Sequence, residues 1–337
     1  MTGAGAPGGP GIIHALQKDP NIRLVVADAD PMAAGGYMDT DFVQIPPADD
    51  PAFINVLFKT CQEKQIHVLF PLVTRELNKL AAEKKRFESA GIHVIVSEFG
   101  SLEIANNKRK LLEHLQAAGI PVPDFRTVTT VETLRLACLE LGYPTRPVVI
   151  KPSTANGSRG VRILDAQKDR FELLFNEKPG NLYSNLEEIL VQIGEHALPE
   201  LLVMEYLPGD EYSVDCLVGD GQPLVIVPRK RVKMINGITV KGVFEKNEEI
   251  VSYTEAILHS LPLNGPIGLQ VKADGNGLFR ILEINPRIQG TSTAAIGAGV
   301  NFPILAVYQA LQLTLPLPTE IKWGTVFARY YENLFNN

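Results

Sequence analysis

The stretch IGLQVKADGNGLFRILEINPR, residues 267–287, decides the fold. Two apolar segments, 267–274 and 278–285, flank Gly275 and Asn276, so the spacing predicts an antiparallel hairpin. With a two-residue turn at Gly275–Asn276, Asp274 faces Gly277 and Gln270 lies opposite Ile281. Side chains alternate along a strand, which puts Gln270, Ile281, Glu283 and Asn285 on one face. That face offers two amides and one carboxylate, all oxygen donors. Such donors suit a hard cation, and Mg²⁺ held by one or two carboxylates plus phosphates is the usual form. Arg287 comes next, placed to hold a phosphate or a carboxylate. The plainer reading is a solvated polar face, but the neighbouring residues are strongly apolar and call for burial.

Upstream, VVIKPS (148–153) and VRIL (161–164) read as hairpin arms around a loop rich in glycine and serine. Ser153, Gly157, Ser158 and Gly160 would let backbone N–H groups approach phosphate oxygens. Lys151, at the end of an apolar strand, would add a point charge beside a triphosphate. The pattern is not a Walker A loop, and a flexible hairpin is the bland alternative. LLVMEY (201–206) and EYSVDCLV (211–218) read as a second pair of arms around Leu207–Asp210. Pro208 and Gly209 there sit at the central positions of a type II turn. The basic run at 229–233 offers Arg229, Lys230 and Arg231 to an anionic substrate or to phosphates; otherwise it is a solvated strand end.

The first hundred residues alternate strand and helix signals, which predicts a parallel sheet with helices on both faces. A helix from Asn106–Asn107 to Gly119 and an extended linker, IPVPDF (120–125), close this part. The fold class expected is an α/β domain at 1–105, a helix and linker at 106–124, and an α+β domain in two parts, 125–200 and 201–337. GAGAPG places Gly3, Gly5 and Gly8 in G-x-G-x-x-G spacing, with Asp28 twenty residues beyond. This supports an alternative reading, an NAD(P)-dependent oxidoreductase. The fingerprint needs a strand before its first glycine, and only Met1 and Thr2 precede it. An ordinary glycine turn feeding a helix is the simpler interpretation.

Thirty-two basic and 38 acidic residues give a net charge of −6, which argues against a generic nucleic-acid binder. Hydrophobic residues make up 45% and charged residues 21%, so a packed core is expected. No apolar run suffices for a membrane span, and no signal peptide is evident. Cys61, Cys138 and Cys216 are far apart, as are the six histidines, so neither a disulfide framework nor a histidine metal site is expected. A cytoplasmic protein fits this pattern.

The order of these pieces is specific: Asn-Lys opening a helix, KPS with a glycine loop, MEYLPGDEYSVD, then Gln270 followed by EINPR. It resembles the ATP-grasp superfamily, and within it the synthetase halves of carbamoyl-phosphate synthase large subunits and related carboxylate–amine ligases. The resemblance spans nearly the whole chain. It implies a pre-ATP-grasp α/β domain followed by two α+β subdomains that clasp ATP. By the same resemblance, Lys108 and Lys151 touch ATP phosphates and the segment Ser153–Gly160 forms a flap over them. Glu205, Tyr206 and Leu207 recognise adenine, and Glu211 the ribose. Gln270, Glu283 and Asn285 hold Mg²⁺ or Mn²⁺, two ions in all, and Arg287 faces phosphate. With Lys151, Arg287 is the implied catalytic pair. The implied activity is an ADP-forming ligase that joins a small-molecule carboxylate to an amine or thiol through an acyl phosphate. Arg229, Lys230 and Arg231 become candidates for the substrate. A homodimer is compatible, and neither nucleic acid nor membrane is implied as a partner. The remaining alternative is an ATP-binding module without catalysis. Gln270 is neutral where many relatives carry an acid, and one synthetase half alone is not expected to make carbamoyl phosphate.

Overall fold

The computed structural model describes residues 1–154, 159–176, 180 and 182–335. The N-terminal region runs α1 (Gly9–Leu16), β1 (Val25–Asp28), β2 (Asp41–Gln44), α2 (Phe53–Glu63), β3 (Val68–Leu69), α3 (Thr74–Ser89), β4 (His93–Val94) and α4 (Phe99–Ala105). The pairs β1–β2 and β3–β4 are both parallel. Met1 and Thr2 supply the strand that the glycine turn otherwise lacks. Thr2 bridges Ala27 in parallel and its N–H donates to the Phe70 carbonyl, while Ala27 N–H donates to the Met1 carbonyl. The sheet therefore reads, from edge to edge, β2, β1, Met1–Thr2, β3, β4. Its strand order reverses between Met1–Thr2 and β3, and ligands of open α/β sheets bind at the carboxyl ends of the strands at such a point. Phe53, Leu57, Leu77, Leu80 and Phe87 recur at helical spacing on α2 and α3 and are almost fully buried.

The middle region begins with α5 (Lys108–Ala117), capped by Asn107, whose side chain accepts from Lys110 N–H. It ends near Gly119, which takes φ +73°. Then come β5 (Phe125–Val128), α6 (Val131–Glu140), β6 (Val148–Pro152), β7 (Arg162–Leu164), α7 (Arg170–Phe175), β8 (Tyr183–Ser184), α8 (Leu186–Ile193) and β9 (Leu201–Glu205). They build a five-stranded sheet ordered β5-β9-β6-β7-β8 over a core that includes Leu134, Cys138, Val148, Leu164 and Val203. β6 and β7 pair antiparallel, as arms of a hairpin should.

The last region runs β10 (Glu211–Gly219), β11 (Gln222–Ile235), β12 (Ile238–Phe244), α9 (Glu248–Ser260), β13 (Gly265–Ala273), β14 (Phe279–Asn285), α10 (Phe302–Ala310) and β15 (Val326–Ala328). Its six-stranded sheet is ordered β14-β13-β10-β11-β12-β15. Two compact units result. One comprises Met1–Asn106, Glu211–Val271 and Leu282–Asn337; the other comprises Asn107–Asp210 and Lys272–Ile281. In the first unit the N-terminal region and the last region share one hydrophobic core, which includes Ala4, Ile12, Ile13, Val227, Phe244 and Phe302.

Three local expectations are corrected. The segments 201–206 and 211–218 are not hairpin partners: β9 hydrogen-bonds between β5 and β6, whereas β10 lies in the six-stranded sheet. Residues 201–210 thus group with the middle region rather than with the last one. Gly209 is not among the residues with positive φ, so Pro208–Gly209 is not a type II turn. Gly209 N–H instead donates to the Ala273 carbonyl, and a Cβ at Gly209 would lie 2.6 Å from Ala273 Cβ. Finally, the turn of the β13–β14 hairpin has three residues. Asp274 N–H donates to Leu278 O, Gly277 N–H donates to Asp274 O, and Gly277 takes φ +84°. That is a type I turn followed by a left-handed glycine. Asp274 faces Leu278 rather than Gly277.

Candidate functional site

In the first unit the end of β14 gathers Glu283, Asn285 and Arg287. Asn285 Nδ2 donates to Glu283 Oε1 at 3.1 Å, and Arg287 Nη2 reaches Asn285 Oδ1 at 3.4 Å. Arg287 is anchored further, Nη1 to the Ile288 carbonyl at 2.7 Å and Nε to Thr74 Oγ1 at 3.1 Å. Burial lowers the pKa of its guanidinium, and Glu283 opposes that shift. Gln270, half-buried, stands on the adjacent strand β13. Carrying the observed turn pairing along the hairpin brings Gln270 opposite Leu282. The burial alternation of β14 then slips: Ile281 and Ile284 are buried, and the two residues between them are half-buried.

Side chains on β10 and β11 adjoin this cluster. Arg231 pairs with Glu211 and with Thr239 Oγ1. Burial lowers its pKa, while Glu211 and Glu283 raise it. Arg229 is fully buried, with Nε and Nη2 each 3.3 Å from Asp215 Oδ2. Ser292 Oγ donates to the other Asp215 oxygen. Arg229 Nη1 has no hydrogen-bond partner among the described residues. Arg231 and Arg329 each feel the positive charge of Arg229, which lowers their pKa values. Lys230, between Arg229 and Arg231 in sequence, faces Tyr212 across the β10–β11 pairing.

The carboxyl edge of the N-terminal sheet also takes part. Arg329 donates to the Pro7 carbonyl at 2.7 Å and reaches Thr291 Oγ1 at 3.4 Å. Gly8 packs so closely on Gly290 that a Cβ would lie 2.6 Å from Gly290 Cα. Thr2 Oγ1 donates to Glu76 Oε2 at 2.5 Å. Burial pushes the Glu76 carboxyl up to about 7; Thr2 opposes the shift and Asp28 reinforces it. Both Asp28 oxygens are taken by backbone, Oδ2 by Gly5 N–H at 2.7 Å and Oδ1 by Asp30 N–H at 3.0 Å.

The second unit carries the other candidates. Lys108 and Lys151 are both buried, and Lys108 N–H donates to the Ser153 carbonyl at 2.8 Å. Gly160 takes φ +74° and abuts the Pro152 ring, whereas Gly157 and Ser158 lie outside the described residues. Glu205 Oε1 accepts from Asp124 N–H at 3.0 Å. The Lys272 ammonium sits over the Tyr206 ring, 5.3 Å from its centroid, and Leu207 is buried.

Sequence reasoning missed Thr74, Glu76, Asp215, Thr291 and Arg329. One signal for Glu76 was available: it sits one turn before Leu80 on the apolar face of α3, where an acid is out of place.

Among the described residues no three His, Cys, Asp or Glu cluster to hold a metal. The available donors are one carboxylate and two amides. This low-charge oxygen set fits Mg²⁺ only if a phosphate supplies the remaining charge.

Residues 197–328 match the family model described as "ATP-grasp in the biosynthetic pathway with Ter operon". Residues 10–95 match "PylC-like, N-terminal domain". In order along the chain the two matches resemble a PylC-like N-terminal domain followed by part of an ATP-grasp domain, each over less than half of the residues. Among curated proteins it is 26% identical over 211 residues to the carbamoyl phosphate synthase large chain of Clostridium acetobutylicum. That alignment covers 60% of this chain and 18% of the relative, so the chain spans less than a fifth of that protein. Among solved structures, N5-carboxyaminoimidazole synthetase from Staphylococcus aureus, complexed with ADP, superposes with TM-score 0.70 at 18% identity, covering 96% of this chain and 80% of that one. L-amino acid ligase from Bacillus licheniformis superposes with TM-score 0.62 at 20% identity, covering 90% and 71%. These likenesses establish the fold.

Proposed function

We propose that the chain is an ATP- and Mg²⁺-dependent, ADP-forming ligase that joins a small carboxylate to an amine through an acyl phosphate. The observation that carries this reading is the Glu283–Asn285–Arg287 constellation at the end of β14, with Arg231 and Glu211 beside it. A carboxylate is a poor electrophile, and phosphorylation gives it a good leaving group. Phosphoryl transfer depends on positioning and charge neutralisation more than on acid–base residues, which suits a site of arginines, lysines and oxygen donors. The names of the superposed S. aureus synthetase and B. licheniformis ligase agree with ligase chemistry.

Glu283, Asn285 and Gln270 would hold Mg²⁺, which supplies charge neutralisation at the phosphates when bound. The half-buried class that Gln270, Glu283 and Asn285 share supports placing them on one face. Arg287, held by Thr74, orients a phosphate or carboxylate oxygen. Lys108, Lys151 and the segment that begins at Ser153 contact the triphosphate. Glu205, Tyr206 and Leu207 recognise adenine, and Glu211 the ribose once it lets go of Arg231. The buried Arg229, fixed by Asp215, lends positive charge to the substrate carboxylate.

The test is ADP release by the chain with Mg-ATP against a panel of carboxylates, with hydroxylamine present to trap acyl phosphate as hydroxamate. Glu283→Ala is expected to abolish metal-dependent turnover while keeping the melting temperature within a few degrees. Full turnover by that variant refutes the metal assignment. A melting temperature raised by NAD(H) but not by Mg-ATP would refute the ligase reading.

A further inference from the structure

The β11–β12 hairpin carries two lysines, Lys233 and Lys241, that the assignments above leave unused. β10 pairs with β11 no further than Tyr212↔Lys230, so the hairpin runs on beyond it as an arm. The arm turns at Asn236 and Gly237, whose φ values of +50° and +76° suit a type I′ turn. On both sides of the lysines the pairing keeps one register: Arg231 faces Gly242, and Met234 faces Thr239. In that register Lys241 would face Val232, and Lys233 would face Val240. Instead each strand carries one extra residue, Val232 on β11 and Val240 on β12, and Lys233 comes directly opposite Lys241. Cross-strand partners project from the same face, and like charges so placed repel. Both lysines are exposed, and Lys241 faces Ala328 on its other side. No carboxylate among the described residues pairs with either of them, and Glu211 is taken by Arg231. Two irregularities that cancel after a single pair neither turn nor end a strand. Their effect is to set two cations side by side.

We infer that Lys233 and Lys241 together hold a second anionic group, carboxylate or phosphate, of the acid that the ligase activates; this rests on the ligase reading above and narrows its substrate to a dianionic acid. An oxyanion seated between the two ammonium groups turns their repulsion into two charge-assisted hydrogen bonds. The position suits a substrate that also reaches the end of β14. Arg231 lies two residues before Lys233, about 7 Å along the strand, and Glu283 acts on it electrostatically. Arg231 is itself tied to Glu211, to Thr239 Oγ1 and to the Gly237 carbonyl, which fixes the root and the tip of the arm. The net charge of −6 confines this attraction to a small ligand rather than a long polyanion.

The test is the rate of ADP release with Mg-ATP, hydroxylamine and matched acids. Malonate, succinate, glutarate and adipate are each compared with the monocarboxylate of the same chain length, and phosphonoacetate with acetate. In wild type kcat/KM should favour at least one dianionic acid over its monoanionic match. In the double variant Lys233→Gln/Lys241→Gln that ratio should fall about tenfold. Lys233→Arg/Lys241→Arg, which keeps both charges, should hold it within about threefold. A ratio that survives the glutamine substitutions, or a wild type indifferent to the second charge, overturns the inference. So does a loss of Mg-ATP affinity by calorimetry with the ratio intact, which assigns the pair to nucleotide phosphate. Absence of ADP with every acid is instead a failure of the ligase reading. The lysine pair is also tested without turnover. Inorganic phosphate at about 10 mM should raise the melting temperature of wild type above its value in sodium chloride of equal ionic strength, and should do so less in the glutamine variant. Equal shifts in the two chains overturn the anion site.

Discussion

Replacing Glu76 by glutamine should change how stability depends on pH, whatever the substrate is. In the unfolded chain the carboxyl titrates near its ordinary value of 4.5; in the fold it holds its proton to about 7. Between those values the folded state binds more protons than the unfolded state, so stability falls as pH rises. The cost is absent below about 4.5, grows to about 7 and is constant above. Each pH unit between the two values is worth about 1.4 kcal/mol, so wild type should lose about 3 kcal/mol from pH 4.5 to pH 8 through this group alone. Glutamine keeps an oxygen for the Thr2 hydroxyl and carries no charge at any pH. Urea denaturation of wild type and Glu76→Gln across this range reads the difference directly. The variant should be the more stable chain at pH 8, and the gap should close toward pH 4.5. Parallel curves would show that Glu76 does not retain its proton in the fold and would undo the reasoning.

Other perturbations probe both units. Asp215→Ala strands the Arg229 guanidinium in a buried site and should cost about 3–5 kcal/mol by denaturation; Ser292→Ala, which removes one neutral donor to Asp215, should cost about 1 kcal/mol. Gly8→Ala drives a methyl into Gly290 and should lower the melting temperature, while Gly100→Ala, on α4 with open space around it, should raise or preserve it. Lys151→Ala should weaken Mg-ATP binding by calorimetry, and unchanged affinity would count against a phosphate contact.

The parts legible in the sequence were those set by local periodicity. Apolar spacing on α2 and α3, the Asn107 cap and the β6–β7 hairpin all arise from neighbouring residues. What failed depended on distant partners. Leu201–Glu205 reads as an arm of the next hairpin because nothing local says that its hydrogen bonds go to Phe125–Val128 and Val148–Pro152. The β13–β14 turn differs by one residue from the expected length because Gly275, Asn276 and Gly277 allow either; the left-handed Gly277 decides it. That Glu283, Asn285 and Arg287 touch one another follows from their lying on one short segment. Thr74, which accepts from Arg287, comes from a remote segment.

The N-terminal glycine turn shows how one pattern can serve a different end. A dinucleotide site needs the acid after its second strand open to ribose hydroxyls, and a glycine that lets pyrophosphate come close. Here both oxygens of Asp28 already accept from Gly5 and Asp30, and Gly8 admits Gly290 instead. Two arginines of this unit are already matched to carboxylates, Arg229 to Asp215 and Arg231 to Glu211. Glu283 plays the same part electrostatically for Arg287. A chain with net charge −6 can thus hold concentrated positive charge without binding polyanions indiscriminately. A ligand reaches those guanidinium groups only by offering oxygens that compete with a carboxylate already in place. A small, multiply charged phosphate can do so where a diffuse surface cannot.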